Sequence, residues 1–206
     1  MTLYDLAAPL YGIWAALVET RAHRAAAQVV AMHPGHHLLE VAVGPSLQFG
    51  MSPPVFHFLR VVGIDLSMPM LKRARRHLTS SQAWLCQADA RALPFGPESF
   101  DAVLNCFMID LLSEGDIPVV LQEFSRVLRS GGRLVLLTMA EQKPAFQWLW
   151  MALYRRAPFL VGGCRPLDAG AWLRKLGWKV EQENLVSQMG FRSMLTVAQP
   201  PPSVLA

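Results

Sequence analysis

The sequence predicts an α/β protein: a doubly wound sheet of about seven strands, mostly parallel, with an antiparallel C-terminal hairpin and a helical N-terminal extension. Three observations carry that expectation. Short continuous apolar runs, the pattern of strands buried on both faces, recur from Leu38 to Met139. Helix-period stretches alternate with them, as parallel crossovers require. Two further runs flank Met189-Gly190 so closely that they read as an antiparallel pair.

In chain order, Leu3 to about Val18 and on to about Met32 reads as helical, and Pro34-Gly35 ends that section. His37 to Val43 is the first strand, ending at Gly44. Arg60 to Asp65 is the second and ends on an acid. Ser67 opens a helix to about Leu78, with its hydroxyl as the N-cap. Ala83 to Gln87 and Phe100 to Cys106 are the third and fourth strands. Asp116 to Leu128 is a helix, and Ser130-Gly131-Gly132 is its C-cap and the turn into a fifth strand, Arg133 to Met139. Trp178 to Val186 and Arg192 to Gln199 form the closing pair. Gln199-Pro200-Pro201-Pro202 then stops the last strand.

A chain of 206 residues suits one domain that can bury a core without a disulfide or metal staple. Apolar residues make up 52% and charged residues 17%, which excludes a disordered or fibrous chain. With a mean hydropathy of +0.27 the chain is greasier than an ordinary enzyme, so some apolar surface is expected to await a ligand, lipid or partner. A membrane-spanning helix needs an uninterrupted apolar run of about 18 residues. The longest candidate, Pro144 to Gly163, is broken by Arg155, Arg156 and Pro158. Asp5, with no basic leader before it, argues against a signal peptide. Cys86, Cys106 and Cys164 match neither a disulfide framework nor a metal spacing; no metal is expected, and a reducing, cytoplasmic setting fits. The net charge of +4 permits nucleic acid or anionic lipid as partners without requiring either.

In an open α/β sheet, ligands sit outside the carboxyl ends of the strands. The first strand ends in Glu40-Val-Ala42-Val-Gly44-Pro-Ser46, where small residues either admit a ligand close to the backbone or simply make a turn. The second ends at Asp65, twenty-five residues after Glu40. A carboxylate has acceptors only, so it suits the two hydroxyls of a ribose, or it caps the helix behind it. After the third strand, Ala88-Asp89-Ala90 offers an acceptor for an exocyclic amine such as adenine N6. The fourth ends at Asn105-Cys106-Phe107, close to where a reacting group would lie. Three successive strand ends thus describe an adenosine pocket. A pyrophosphate cradle would want unhindered glycines with a helix directly behind them, and Pro53-Pro54 interrupts that region.

These residues resemble the class I S-adenosylmethionine-dependent methyltransferases of the small-molecule, quinone or phospholipid type. The likeness runs from about Leu38 to Met139. It includes Glu40-x-Ala-x-Gly-x-Ser, Val62-Gly-Ile-Asp65-Leu-Ser-x-x-Met70-Leu and Ala88-Asp89-Ala-x-x-Leu93-Pro94-Phe95. Ser99-Phe100-Asp101-Ala-Val and Leu128-Arg-x-Gly131-Gly132-Arg-Leu complete it. The resemblance implies a Rossmann-like fold and methyl transfer from S-adenosylmethionine to a small apolar acceptor by in-line displacement, with S-adenosylhomocysteine as product. It implies that Glu40 and Gly44 shape the methionine end of the cofactor, that Asp65 holds the ribose and that Asp89 takes the adenine amine. Met70 would pack on the adenine, and Asn105, Cys106 and Phe107 would face the sulfonium. Leu66 and Ala90 are counted in the same site. Ala42 and Ser46 stand where the family usually has glycine, and with Pro45 they lead us to expect weaker cofactor binding. Tyr4-Asp5-x-x-Ala-Pro-x-Tyr11 is similar to the opening helix of quinone-type methyltransferases, which folds over the cofactor and would bring Tyr4 and Tyr11 to it. On this reading residues 1–199 form one domain: a helical cap to 34, a cofactor-binding core 35–140, a substrate lid 141–170, and a C-terminal helix and hairpin 171–199. Residues 200–206 are a tail.

A sulfonium methyl is already activated, so aligning the nucleophile does most of the work, and a base is needed only for a protonated one. Asp110, just past the fourth strand where related enzymes often carry histidine, is the candidate for touching substrate; the alternative is an exposed loop acid. Cys106 has no histidine spaced to activate it and reads as a small buried residue. The segment Ala145 to Asp168, with Phe146, Trp148, Leu149, Trp150, Leu153 and Tyr154 and then arginines, reads as a cover over a greasy substrate that touches a membrane surface, or as a plain packing helix. His33, His36 and His37 read as a loop cluster. Lys72, Arg73, Arg75 and Arg76 read as a solvated helix face, and nucleic acid is not expected because no aromatic residues are interleaved. Two rival readings stand. A nicotinamide-dependent reductase would want a Tyr-x-x-x-Lys pair, but Tyr154 is followed by Pro158 at that spacing. A non-catalytic or repurposed protein of the same fold is motivated by Ala42, Pro45 and Ser46.

Overall fold

The computed structural model describes residues 19–30, 37–44, 60–77, 83–157 and 163–202. Among them lie β1 (His37–Val41), β2 (Arg60–Asp65), β3 (Ala83–Gln87), β4 (Phe100–Cys106), β5 (Leu128–Met139), β6 (Lys179–Gln188) and β7 (Phe191–Gln199). The helices are α1 (Thr20–Val30), α2 (Met68–His77), α3 (Asp116–Val127), α4 (Pro144–Arg156) and α5 (Ala169–Lys175), with a 3-10 turn at Ile109–Leu111. One sheet takes all seven strands in the order β3-β2-β1-β4-β5-β7-β6. Pairings from β3 through β5 are parallel; β7 runs antiparallel to both β5 and β6. The order reverses between β1 and β4, and the carboxyl ends of those two strands open the crevice where ligands bind in such sheets.

Alternate side chains of each strand face opposite layers. Leu38, Leu104, Val135 and Leu137 join the buried residues of α1, α2 and α4. Leu39, Val103, Leu134 and Leu136 join those of α3 and α5. On α3, Ile117, Val120, Leu121, Phe124 and Val127 follow helical spacing and are all buried. On α1 the buried stripe is mostly alanine, Ala22, Ala26 and Ala27, which lets the helix lie close to the sheet.

Within the described residues the expected elements are present with three corrections. β1 stops at Val41, two residues before the expected end, because Ala42 turns into the left-handed region at φ 59°. β5 begins at Leu128, directly after α3, where a helix cap and turn were expected at Ser130-Gly131-Gly132. The reason is a bulge: Leu128 pairs with Phe100, the register shifts, and pairing resumes at Arg133 opposite Ala102. Gly131 takes φ +73° inside that bulge, and a Cβ on Gly132 would stand 2.9 Å from the Arg129 carbonyl oxygen. The closing hairpin spans Lys179–Gln188 and Phe191–Gln199, shifted from the expected bounds. Met189 and Gly190 turn it with φ of 50° and 86°, the left-handed pair of a type I′ turn. Ser67 caps α2 as expected, its Oγ accepting from the Met70 N–H at 3.4 Å. The expected first helix, Pro34-Gly35 and Pro53-Pro54 lie outside the described residues.

Candidate functional site

The crevice begins where β1 ends. Ala42 holds a left-handed conformation that costs an alanine roughly 1–2 kcal/mol. Gly44 follows at φ +56°, and among the described residues nothing lies within 4 Å of where its Cβ would be. The Gly44 N–H donates to Asp65 Oδ2 at 2.9 Å, and the Ser67 N–H donates to Asp65 Oδ1 at 2.8 Å. One carboxylate at the end of β2 therefore ties the loops after β1 and β2 together. Asp65 thus supports the entrance to α2, and a carboxylate oxygen that accepts one bond has capacity for another. Burial raises its pKa, and the two amide hydrogen bonds oppose that rise.

Beyond β2, Leu66 is exposed at 65% whereas Met70 is buried in the α2 packing layer. Asp89 meets a partner the sequence reading left out. Arg91 engages it through Nε and Nη2, the latter at 2.7 Å, and through its own backbone N–H at 2.9 Å. These contacts hold the Asp89 carboxylate below its usual pKa. Arg91 also reaches Asp116 at the start of α3, at 3.5 Å. Ala90 sits in the turn between the two.

At the end of β4, Asn105 is fully buried and acts as a strut. Its side-chain amide donates to the Val41 carbonyl at 2.9 Å and accepts from the Ile109 N–H at 3.3 Å. Burial drives the Cys106 thiol well above its usual pKa, which disfavours the thiolate, and the residue is half-buried where the sequence reading expected a buried one. Phe107 turns the chain at φ 53° and is itself buried. Asp110 corrects the alternative of an exposed loop acid: it is completely buried in the 3-10 turn. Its Oδ2 accepts from the Met139 N–H at 2.8 Å, bridging the ends of β4 and β5, while Oδ1 has no hydrogen-bond partner among the described residues. Burial pushes its pKa up to about 7, against the pull of the amide bonds and of Arg165. Glu40 is buried likewise; among the described residues its Oε2 is unpartnered, and burial raises its pKa to about 8. The charges of both carboxyls push the Cys106 pKa in the same direction as its burial.

Tyr4, Tyr11 and Ser46 lie outside the described residues. Two residues of α1 and its entry were not expected at the site. Glu19 is buried and its charge also acts on Cys106. His23 lies edge-on to Phe107 with ring centroids 5.5 Å apart. Its Nδ1 stands 3.0 Å from the Glu19 carbonyl, which only a donor can occupy, and burial lowers its pKa to about 4. The ring is therefore neutral with its proton on Nδ1. A signal existed in the sequence, since two ionisable residues four apart interrupt a stripe of alanines. From Phe107 an aromatic row continues to Phe191 (6.4 Å), Trp150 (5.8 Å) and Phe146 (5.6 Å), reaching α4 at the surface. Among the described residues no His, Cys, Asp and Glu group has the arrangement of a metal site.

Residues 39–136 match the methyltransferase-domain family. The chain is 31% identical to the ubiquinone/menaquinone biosynthesis C-methyltransferase UbiE of Syntrophotalea carbinolica over 204 residues, covering 92% of this chain and 84% of that protein. It is 38% identical to the phosphatidylethanolamine N-methyltransferase of Cereibacter sphaeroides over 123 residues, a stretch covering 57% of each chain. Among solved structures, a SAM-dependent methyltransferase of Thermotoga maritima superimposes with a TM-score of 0.68 at 19% identity, over 96% of this chain and 98% of that one.

Proposed function

The chain belongs to the class I S-adenosylmethionine-dependent methyltransferases, and from that premise we propose that its acceptor is a small, apolar ring compound of the quinone-precursor class, bound beneath α4. The observation that carries this reading is the pairing of a buried carboxyl that has a free oxygen, Asp110, with an aromatic row running from Phe107 to α4. A polar acceptor would find too few partners along that row. Several relatives bear names of the same class, among them demethylmenaquinone methyltransferases.

S-adenosylmethionine, when bound, supplies a methyl group on a cationic sulfur. The residues at hand suit it. Among the described residues, Glu40 keeps a buried orphan oxygen, nothing lies within 4 Å of where a Gly44 Cβ would be, and Asp65 retains acceptor capacity. We assign Glu40, Ala42, Gly44, Asp65, Leu66, Met70, Asp89, Ala90 and the backbone from Asn105 to Phe107 to that pocket. Asp65 would accept from the ribose hydroxyls, and Asp89 from an exocyclic amine by sharing its oxygens with Arg91. A positive charge beside Glu40 and Asp110 favours their ionised forms, which burial alone opposes. Asp110 Oδ1 then takes the proton of an acceptor hydroxyl, and the freed electron pair raises the nucleophilicity of the ring or of the oxygen itself. His23 and Phe107 exclude water from that point. Residues 141–170 form the cover, a peripheral membrane contact belongs to the same reading, and the free cysteines suit a cytoplasmic setting.

The test is a product assay with labelled S-adenosylmethionine offered a demethylated quinol in one reaction and phosphatidylethanolamine in another. Methylated quinol alone supports the reading. Methylated phosphatidylethanolamine without methylated quinol overturns it.

A further inference from the structure

The buried residues of α1, α2 and α4 share one core layer. Those three helices carry eight Lys or Arg residues and no Asp or Glu. The two helices of the other layer, α3 and α5, carry three basic and two acidic residues. The described helices are therefore polarised in charge across the sheet.

On the same cationic side, α4 stands with Trp150 as its only buried residue. The Trp150 indole N–H donates to the Cys164 carbonyl at 2.9 Å and fastens the helix to the body. Met151 and Tyr154, partly buried, pack beside it, and the opposite side of α4 faces outward. Trp148 is 74% exposed, Leu149 51%, and Phe146 and Leu153 each 36%. At 100° per residue, Trp148, Leu149 and Leu153 fall within an arc of about 140°, with Arg156 inside it, Arg155 beside Trp148 and Phe146 at its other edge toward Trp150. A water-facing helix would place polar residues there. An apolar stripe with an exposed indole and terminal cations is the composition that lies in a lipid headgroup region. A nucleic acid would meet the cations but gain little from leucine side chains. No described helix is long and apolar enough to cross a membrane.

We propose that α4, backed by the basic faces of α1 and α2, docks this protein flat on an anionic lipid bilayer, with Trp148, Leu149 and Leu153 inserted among the headgroups. The aromatic row from Phe146 inward gives an apolar acceptor in that bilayer a continuous path of ring faces toward Asp110. The docking surface deepens the methyl-transfer reading by naming where the acceptor comes from, but binding itself needs neither cofactor nor acceptor.

The experiment is flotation of the full-length protein with phosphatidylcholine vesicles and with vesicles containing phosphatidylglycerol as well, at low and high salt. The expected result is binding to the anionic vesicles, weakened by salt, and little binding to the neutral ones. A Trp148→Ala, Leu149→Ala double variant weakens binding on the order of tenfold. An Arg155→Gln, Arg156→Gln variant weakens it roughly thirtyfold. Thermal stabilisation by S-adenosylhomocysteine, measured on the same samples, stays unchanged, which separates failure of docking from failure of the cofactor site. Binding equal on both vesicle types, or unchanged in both variants, overturns the proposal. So does a Trp148-dependent dimer in light scattering, which would make the stripe a self-association surface. Tight binding of a single-stranded oligonucleotide that survives loss of Trp148 and Leu149, with no vesicle binding, overturns it in favour of nucleic acid.

Discussion

Asp101 and Asp110 lie near opposite ends of β4, and their surroundings treat them in opposite ways. Asp101, at the amino end, accepts from the His37 N–H and from the Arg129 guanidinium, both at 2.8 Å. Asp110, just past the carboxyl end, is wholly buried with one oxygen satisfied and the other orphaned. Glu40 on neighbouring β1 is likewise buried with an orphaned oxygen, Oε2, among the described residues. An acid that only stabilises is given partners. An acid buried without them is a standing cost of folding, and it persists where a ligand brings the missing partner.

The largest test of that contrast exchanges each acid for its amide. Asp110→Asn keeps an acceptor for the Met139 N–H but cannot take a proton, so methyl transfer should fall by about two to four orders of magnitude while the protein melts no lower. Asp101→Asn should leave turnover within a few-fold and cost stability of about 1 kcal/mol, because that pair is part exposed. Turnover lost with Asp101 and kept with Asp110 would reverse the assignment.

Next in size is Asp65→Ala, which removes the acceptor proposed for the ribose and the tie between two loops. Calorimetry with S-adenosylhomocysteine should show affinity lower by roughly ten- to a hundredfold. Unchanged affinity would make Asp65 a loop fastener alone.

Glu40 makes the comparison sensitive to pH. A carboxyl whose pKa rises from 4.5 to about 8 on folding binds its proton more tightly in the native state. Its contribution to stability is complete below pH 4.5 and is lost as pH rises to about 8. His23, with its pKa lowered from 6.5 to about 4, acts in the other sense: stability is complete above pH 6.5 and is lost on acidification toward 4. Glu40→Gln should therefore flatten the decline between pH 6.5 and 8, by on the order of 2 kcal/mol, and leave the acid limb in place. An unchanged alkaline limb would show that the Glu40 charge is not what this crevice resists.

The smallest effect is expected at Ala42. Ala42→Gly relieves the left-handed backbone and should raise the melting temperature by about 2–4 °C, net of the extra chain entropy of glycine. A drop would mean that the turn after β1 is held by the Ala42 methyl group.

The parallel strands were legible because burial on both faces leaves little choice but continuous apolar runs, as in Leu134 to Leu137. Ser67 was legible because capping is local. Leu128 was not, since its entry into β5 depends on pairing with Phe100, a partner twenty-eight residues away. The burial of Asp110 was hidden for a related reason: what covers it comes from β5 and the chain around Arg165, and no spacing near Asp110 announces them. Arg91 lies two residues from Asp89, within local reach, so this pairing was legible in the sequence.

The strand order also sets when the fold can close. β7 follows β6 in the chain, yet it lies between β5 and β6. Until it emerges during synthesis, the backbone of β5 from Leu134 to Met139 lacks one of its two neighbours and presents a long apolar edge. β6, although made earlier, reaches the sheet only through β7. A ribosome stalled before Phe191 would thus hold a half-sheet with a sticky border, and a chaperone that shields that border would be needed there first.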